Sequence, residues 1–319
     1  MNFQSLAKVE KSEWYIDLAF RNATKKATDI KSQMRRTHYT IKRAELAKIS
    51  EIRRTIKRHF DMILKSFPSI DSMTEFYQEL VRATLDYAEL KKSLGAVNWA
   101  QKKTEHFSDI YHNKIRRCAD FRKMTAYSRE YYGRISSVVK QIKKPLEYLE
   151  HSRRTMKDFP SIKEKLFTVA IAGFPNVGKT TLLSKLTTSK PEIAAYPFTT
   201  KKLNIGYADI KNHKVQFIDT PGTLNRFDKM NWIEKQAHLA MKYCADLIVF
   251  VFDASPQGCD KEKQVQLLNK IKKTAKELLV YISKTDLPGH DISLLPGEIP
   301  SFKDINKLKK HVSKALTLS

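Results

Sequence analysis

Eight residues constrain this chain more than any others: Gly173-Phe-Pro-Asn-Val-Gly178-Lys179-Thr180. They fit GxxxxGK(S/T), between an apolar β-type run, Phe167 to Ile171, and a helical stretch from Thr181 onward. In that setting the pattern reads as a phosphate-binding loop rather than a chance glycine-rich turn. Gly173 and Gly178 let backbone N–H groups turn inward around phosphate oxygens, with Pro175, Asn176 and Val177 forming the arch between them. Lys179 reaches the β- and γ-phosphates as a point charge, and Thr180 supplies a hydroxyl to Mg2+. The helix that takes in Thr181 points its positive end at the anion.

The rest of the C-terminal half agrees with such a loop. Leu203–Tyr207, Val215–Ile218, Leu247–Phe252 and Leu278–Ile282 are further short β-type runs, mostly with helical stretches between them. That alternation predicts a mostly parallel sheet covered by helices. The polar stretch Ala208 to Lys214 has hairpin length, so one edge pair is expected antiparallel. A last helix is expected from Ser301, with Asp304 as capping partner.

The N-terminal half follows another period. Ile49, Ile52, Ile56, Phe60, Ile63 and Phe67 recur at spacings of three and four. So do Met73, Phe76, Tyr77, Leu80, Val81, Thr84, Leu85 and Ala88, and Ile135, Val138, Val139, Ile142, Leu146 and Leu149. Each set places an apolar stripe on a helix. Pro68 is expected to end one helix, Gly95 another, and Pro145 to kink or restart a third. The expected architecture is a basic helical bundle of four or five helices over residues 1–160. A P-loop α/β domain follows over residues 161–319, joined through Asp158 to Ile162.

Composition narrows the setting. The chain has 319 residues, 59 Lys+Arg against 34 Asp+Glu, and a net charge of +25. Its 41% hydrophobic content excludes wholesale disorder. Cys118, Cys244 and Cys259 are odd in number and far apart, which gives neither a disulfide framework nor a metal-binding CxxC pair. The most apolar run is six residues, Leu247 to Phe252, where a spanning helix needs about 20. The N-terminus lacks the apolar core of a signal peptide. A soluble, cytoplasmic protein with a polyanionic partner is expected.

Two further boxes follow in order. Asp219-Thr-Pro-Gly222 lies after the run Val215–Ile218. Asp219 fits a carboxylate that holds Mg2+, usually through water, and the Gly222 N–H is placed to sense a γ-phosphate. Ser283-Lys284-Thr-Asp286 follows the last β-type run and resembles the (N/T/S)KxD base-recognition box of GTPases. The Asp286 carboxylate can accept from both N1–H and the exocyclic amine of guanine, a pair that adenine does not offer. Ser283 replaces the Asn that commonly ties this box to the phosphate loop.

With these boxes in order, the chain resembles the TRAFAC-class GTPases, and Ala195-Tyr-Pro-Phe-Thr-Thr200 resembles the first switch of their Obg-like branch. GFPNVGKTT at 173–181, AAYPFTTKKLNIGY at 194–207, IDTPGTLNR at 218–226 and FVFDASPQGC at 250–259 are most similar to the nucleolar GTP-binding (Nog) family. FPSI at 67–70 and KKPLEYLEHSRRTMKDFPSI at 143–162 extend the resemblance over nearly the whole chain. It implies a GTPase, binding GTP and GDP with Mg2+, that acts in assembly of the large ribosomal subunit. Thr200 becomes the switch threonine that meets Mg2+ and the γ-phosphate, with Thr199 its competitor. The catalytic set is then Lys179, Thr200 and Gly222; the metal set is Thr180, Thr200 and Asp219. Eukaryotic members carry a long C-terminal extension, so ending at Ser319 suggests an archaeal-type short member or a trimmed chain.

Two departures bear on rate. Thr223 stands where many GTPases place a water-orienting Gln, so slow intrinsic turnover and a hydrolysis-activating partner are expected. Asn176 stands where some related GTPases ligate K+; here it either holds K+ or braces the loop. No clear fifth box is found, Glu298 to Ser301 being the nearest.

Residues 21–58 carry thirteen Lys/Arg and three Asp/Glu. Arg53, Arg54, Lys57 and Arg58 form a stripe opposite the Ile49/Ile52/Ile56 face, and Arg35, Arg36, Lys42 and Arg43 extend it upstream. rRNA and the large-subunit precursor are the expected partners, against a solvated surface or a membrane. Tyr127, Tyr131 and Tyr132 serve either base stacking or the core. The protein is expected to be a monomer. Two rival functions remain: a nucleotide-gated RNA-binding module with incidental hydrolysis, and a translation or stress-signalling GTPase of the Obg group.

Overall fold

The computed structural model describes residues 3–33, 35, 37–163, 165–187, 192–194, 203–220 and 232–318. It divides into two compact units. One comprises Phe3–Ser72 and Leu85–Lys157; the other comprises Met73–Thr84 and the described residues from Asp158 onward.

The helical unit is built from α1 (Ser12–Gln33), α2 (His38–Ser66), α4 (Tyr87–Arg117), α5 (Phe121–Gln141) and α6 (Lys143–Lys157), while α3 (Glu75–Thr84) belongs to the other unit. Along α2, Ile49, Ile52, Ile56, Phe60 and Ile63 are each at most 1% exposed and form its core face. Thr37 caps the helix by accepting from Thr40 N at 3.2 Å. The helix ends at Ser66, before Pro68, as expected. Gly95 does not end a helix: α4 runs through it, because Leu90, Val97 and Ala100 continue one buried stripe on either side. A helical glycine costs about 1 kcal/mol, less than that burial returns. The second apolar set is split at Leu85, where Asp86 caps α4 by accepting from Glu89 N at 3.0 Å. Pro145 accompanies a restart: α5 stops at Gln141, and Pro145 falls in the first turn of α6, where its missing N–H leaves no bond unmade.

By packing, α3 falls with the C-terminal unit rather than with the helices that flank it in sequence. Its apolar face, Phe76, Tyr77, Leu80 and Val81, is buried in the C-terminal unit, where α3 packs on α8 (Trp232–Tyr243). The Tyr77 hydroxyl donates to Pro160 O at 2.8 Å and accepts from Ile162 N at 3.1 Å. These two bonds tie the helix to the segment that enters the sheet.

Among the described residues that sheet has seven strands: β1 (Thr168–Ala172), β2 (Glu192–Ala194), β3 (Leu203–Ile210), β4 (His213–Asp219), β5 (Leu247–Asp253), β6 (Leu278–Ser283) and β7 (Ser301–Phe302). Their order is β2-β3-β4-β1-β5-β6-β7. β4, β1, β5, β6 and β7 are parallel, while β2/β3 and β3/β4 are antiparallel, one antiparallel pair more than expected. The β3–β4 turn has positive φ at Lys211 (48°) and Asn212 (65°), the twist that suits a two-residue hairpin. α7 (Lys179–Leu186), α9 (Lys261–Lys272) and α10 (Ile305–Leu318) complete the layers. One core beside the sheet gathers Phe250, Phe252, Leu267, Leu268 and Ile282; the other gathers Val169, Ile171, Leu183, Phe217, Val249 and Leu308. The last helix begins later than expected. Ser301 and Phe302 pair with β6, and Asp304 is the cap, accepting from Lys307 N at 2.8 Å. A short edge strand outcompetes the first helical turn because its backbone finds ladder partners.

Burial pushes the Asp158 carboxyl up to about 6, from an ordinary 3.8. A carboxyl raised in the folded state penalises folding once ionised. That penalty is complete above about pH 6 and disappears as pH falls through 6 toward 4. Asp158→Asn is therefore expected to raise the melting temperature at about pH 8 and to leave it unchanged at about pH 3, as read by thermal unfolding.

Candidate functional site

The carboxyl ends of β1, β4, β5 and β6 lie on one edge of the sheet, where ligands of such folds bind. Ile171 pairs with Asp219 and Asp253 pairs with Ser283, which places the three sequence boxes beside one another.

β1 runs into Gly173, whose φ of 148° suits glycine. A Cβ there would also lie 2.7 Å from Val251 O, so only glycine allows the chain to leave β1 this close to β5. The loop turns again through Asn176 (φ 62°) and Gly178 (φ 98°), and α7 starts at Lys179. Pro175 O accepts a weak bond from Cys259 Sγ at 3.5 Å, and Val177 is fully buried. Lys179 is 8% exposed and its Nζ donates to Phe174 O at 2.6 Å, curling over the loop. Burial lowers its pKa below the usual lysine range, a shift that Asp219 and Cys259 partly oppose. A buried ammonium with a single carbonyl partner among the described residues is poised for more acceptors, which phosphate oxygens provide.

Thr180 Oγ1 donates to Asp219 Oδ2 at 2.6 Å, and Asn204 Nδ2 donates to the same oxygen at 3.2 Å. Asp219 Oδ1 is buried and has no hydrogen-bond partner among the described residues. Burial raises the Asp219 pKa against the opposing bonds from Thr180 and Asn204 and the charge of Lys179. An orphaned carboxylate oxygen beside a threonine hydroxyl fits a hard divalent cation held directly or through water. Thr181 is exposed on the first turn of α7.

Thr199 and Thr200, in the switch-like segment, and Gly222 and Thr223, after Asp219, lie outside the described residues, as does Arg36.

The family described as the NOG1 N-terminal helical domain matches residues 3–163, half of the chain. The chain belongs to the nucleolar GTP-binding protein 1 family. A second family, the 50S ribosome-binding GTPases, matches residues 168–284, so this family member carries a P-loop GTPase domain. An uncharacterized protein of Methanocaldococcus jannaschii is 38% identical over 75% of this chain and 68% of its own length. Nucleolar GTP-binding protein 1 of Candida glabrata is 37% identical over 72% of this chain and 36% of that protein. The Drosophila melanogaster protein of the same name is 29% identical over 94% of this chain and 45% of its own length. The chain thus spans less than half the length of these two eukaryotic relatives.

In this nucleolar GTP-binding protein 1 relative the third box meets the first. Ser283 is 7% exposed, and its Cβ would lie 3.9 Å from a Cβ added at Gly178. Its hydroxyl, however, donates to Phe252 O at 3.1 Å, so its hydrogen bond goes to β5 rather than to the phosphate loop. Lys284 has a positive φ of 53°, and its Nζ lies 2.6 Å from Asp253 Oδ2. Asp286 is exposed. Glu298 to Ser301 is not brought to the site. Ser301 is level with Val280, before the carboxyl end of β6, and Glu298 is drawn to Lys272 at the end of α9.

Sequence reasoning missed Asn204 and Asp253. Both sit inside segments quoted for family resemblance, yet nothing local to either residue signals that its side chain reaches another box.

Proposed function

We propose that this chain hydrolyses GTP slowly and switches its own docking on rRNA during assembly of the large ribosomal subunit. The observation that carries the nucleotide part is the buried pair Lys179 and Asp219, with the Thr180 hydroxyl on Asp219 Oδ2 and the other carboxylate oxygen left over. Gly173 through Thr181 hold the phosphates, and Ser283, Lys284 and Asp286 receive the guanine. Mg2+ would be held by Thr180, Asp219 and Thr200, or Thr199 in its place, and would neutralise charge between the β- and γ-phosphates. Lys179 stabilises charge on the γ-phosphoryl group as water attacks, while Thr200 and Gly222 report its presence to the switch segments. Thr223 lacks the carboxamide that would orient the water, so turnover awaits a partner. Asn176 is the proposed K+ ligand.

The helical unit supports the docking part, at a place other than the central stripe. Arg53 is paired with Asp109 at 2.7 Å, Arg54 with Glu51 at 2.8 Å and Lys57 with Glu105 at 2.6 Å, so carboxylates answer much of that stripe. At one end of the unit, the start of α2 meets the α4–α5 turn: His38 Nε2 contacts Ala119 O, and Lys42 Nζ donates to Cys118 O at 3.2 Å. Arg35, Arg116, Arg117, Arg122 and Lys123 are exposed around this end. Tyr39 (64% exposed) and Phe121 (49%) stand among them as stacking platforms. Tyr131 and Tyr132 belong to the core instead: Tyr131 is fully buried, within 2.8 Å of the Ser108 hydroxyl, and Tyr132 stacks on Phe20 at 4.5 Å. Among the described residues, no helix is long and apolar enough to cross a membrane.

Multiple-turnover GTP hydrolysis with and without large-subunit particles, in K+ and in Na+, tests the reading. Stimulation by the particles supports a triggered GTPase. Nucleotide-dependent RNA binding with no turnover under any condition would leave only a nucleotide-gated binding module. For the docking end, Arg116→Glu with Arg117→Glu is expected to lower rRNA affinity and to flatten its salt dependence by about two units of log–log slope. Tyr39→Ala is expected to cost about 1–3 kcal/mol on unpaired RNA. Losses confined to Arg53 and Lys57 variants would contradict this placement.

A further inference from the structure

Asp253 is not among the residues assigned above to phosphate, Mg2+ or the base, yet it is the last residue of β5, 1% exposed and charged. Its carboxylate is enclosed on every side that the structure describes. Oδ1 accepts from Ser255 N at 3.0 Å and Ser255 Oγ at 2.7 Å. Oδ2 takes Lys284 Nζ at 2.6 Å. These bonds hold the Asp253 carboxyl below its ordinary range despite burial. Gln264, itself fully buried on α9, clamps the backbone: its Oε1 accepts from Asp253 N at 2.8 Å and its Nε2 donates to Asp253 O at 3.2 Å. Gly258 packs flat on the carboxylate, since a Cβ there would lie 2.7 Å from both Cγ and Oδ2. The neighbouring Cys259 touches Pro175 O of the phosphate loop.

A charge buried this completely costs free energy unless its partners are fixed. Here the partners include the lysine of the base-recognition box. Lysine has four rotatable side-chain bonds, and holding it costs up to about 2 kcal/mol of rotamer entropy. Asp253 meets that cost before any nucleotide arrives.

We infer that Asp253 is a positioning residue for guanine-nucleotide binding, acting by anchoring Lys284 beside the base pocket, with Gly258 and Gln264 shaping the anchor. The inference rests on the assignment of Ser283, Lys284 and Asp286 to the base pocket. With the charged end tethered, the aliphatic stem of Lys284 is held as one wall for the flat purine ring. The anchor also links the base box to the loop Ala254–Cys259 and, through Cys259, to Pro175.

The test is a double-mutant cycle on GDP affinity in the full chain, measured by calorimetry. Asp253→Asn keeps the shape and loses the charge; it is expected to weaken GDP about tenfold, or about 1.4 kcal/mol. Lys284→Ala weakens it by at least as much. In the Lys284→Ala background, Asp253→Asn is expected to add less than twofold, because the anchor then holds nothing. Gly258→Ala serves as a second variant should Asp253→Asn unfold: it displaces the carboxylate without removing it, and its effect too is expected to vanish without Lys284. Additive effects would reduce Asp253 to a structural residue of the β5 turn and overturn the inference. Absence of GDP binding by the unaltered chain would instead strike the base-pocket assignment itself.

Discussion

Lys179→Ala is expected to lower affinity for GTP and GDP by at least ~100-fold, since each charge-assisted hydrogen bond to a phosphate contributes about 1.5–3 kcal/mol and a factor of ten is about 1.4 kcal/mol. The fold should not suffer to match. In the structure the ammonium is buried with one carbonyl partner, Phe174 O, and burial already disfavours its charge. Removing it relieves a desolvated cation but also takes a favourable charge from the buried Asp219 carboxylate, so the melting temperature without nucleotide should change little. Normal nucleotide affinity in this variant would sink the phosphate-loop assignment. The same burial predicts a pH dependence. Only the protonated lysine binds phosphate well, and burial lowers its pKa. Nucleotide affinity should therefore fall as pH rises through that lowered value, earlier than an ordinary lysine would dictate. Titration calorimetry across alkaline pH reads this as proton uptake on binding.

Asp286→Asn is expected to exchange one base for another. In the proposed base pocket the carboxylate would accept from both N1–H and the exocyclic amine of guanine. Asparagine retains one acceptor and gains a donor, which faces that amine with a like group. Xanthine carries a carbonyl at that position and restores the match. Sites built around such hydrogen bonds discriminate by up to about 10⁴–10⁵ when a partner is left unpaired. A fall in GTP affinity of roughly 100-fold, with XTP becoming the better ligand, is the expected competition result. Unchanged selectivity would remove Asp286 from base recognition and leave Ser283 and Lys284 without a role there.

Much of the site was legible because its demands are local. The loop after β1 places glycine at two of its three positive-φ positions and where a Cβ would strike a neighbouring strand. Gly173 meets both conditions and Gly178 the first. The hairpin was legible by length, although its positive-φ residues, Lys211 and Asn212, carry no glycine. Interactions that cross the sheet left no comparable trace. Asn204 reaches Asp219 from β3, and Asp253 reaches Lys284 from β5, through side-chain bonds that only strand register brings about.

The helical half shows the same limit. The stripe of α3 announced a helix with a buried face, and nothing in it named the partner. Tyr77 shows which it is, through its bonds to Pro160 and Ile162. Gly95 misled because a helix breaker acts only where packing does not decide, and α4 is packed on both sides of it. The basic stripe was visible as charge, but the carboxylates that answer it, Glu105 and Asp109, come from α4 and lie about fifty residues away in sequence.

Sedimentation with large ribosomal subunit particles, in GDP and in a non-hydrolysable GTP analogue at two salt concentrations, tests the central claim most directly. Co-migration that strengthens with the GTP analogue and weakens with salt is the predicted result. Equal absence of association in both nucleotides, from a chain that binds them, would contradict it and leave a GTPase whose polyanionic partner lies elsewhere.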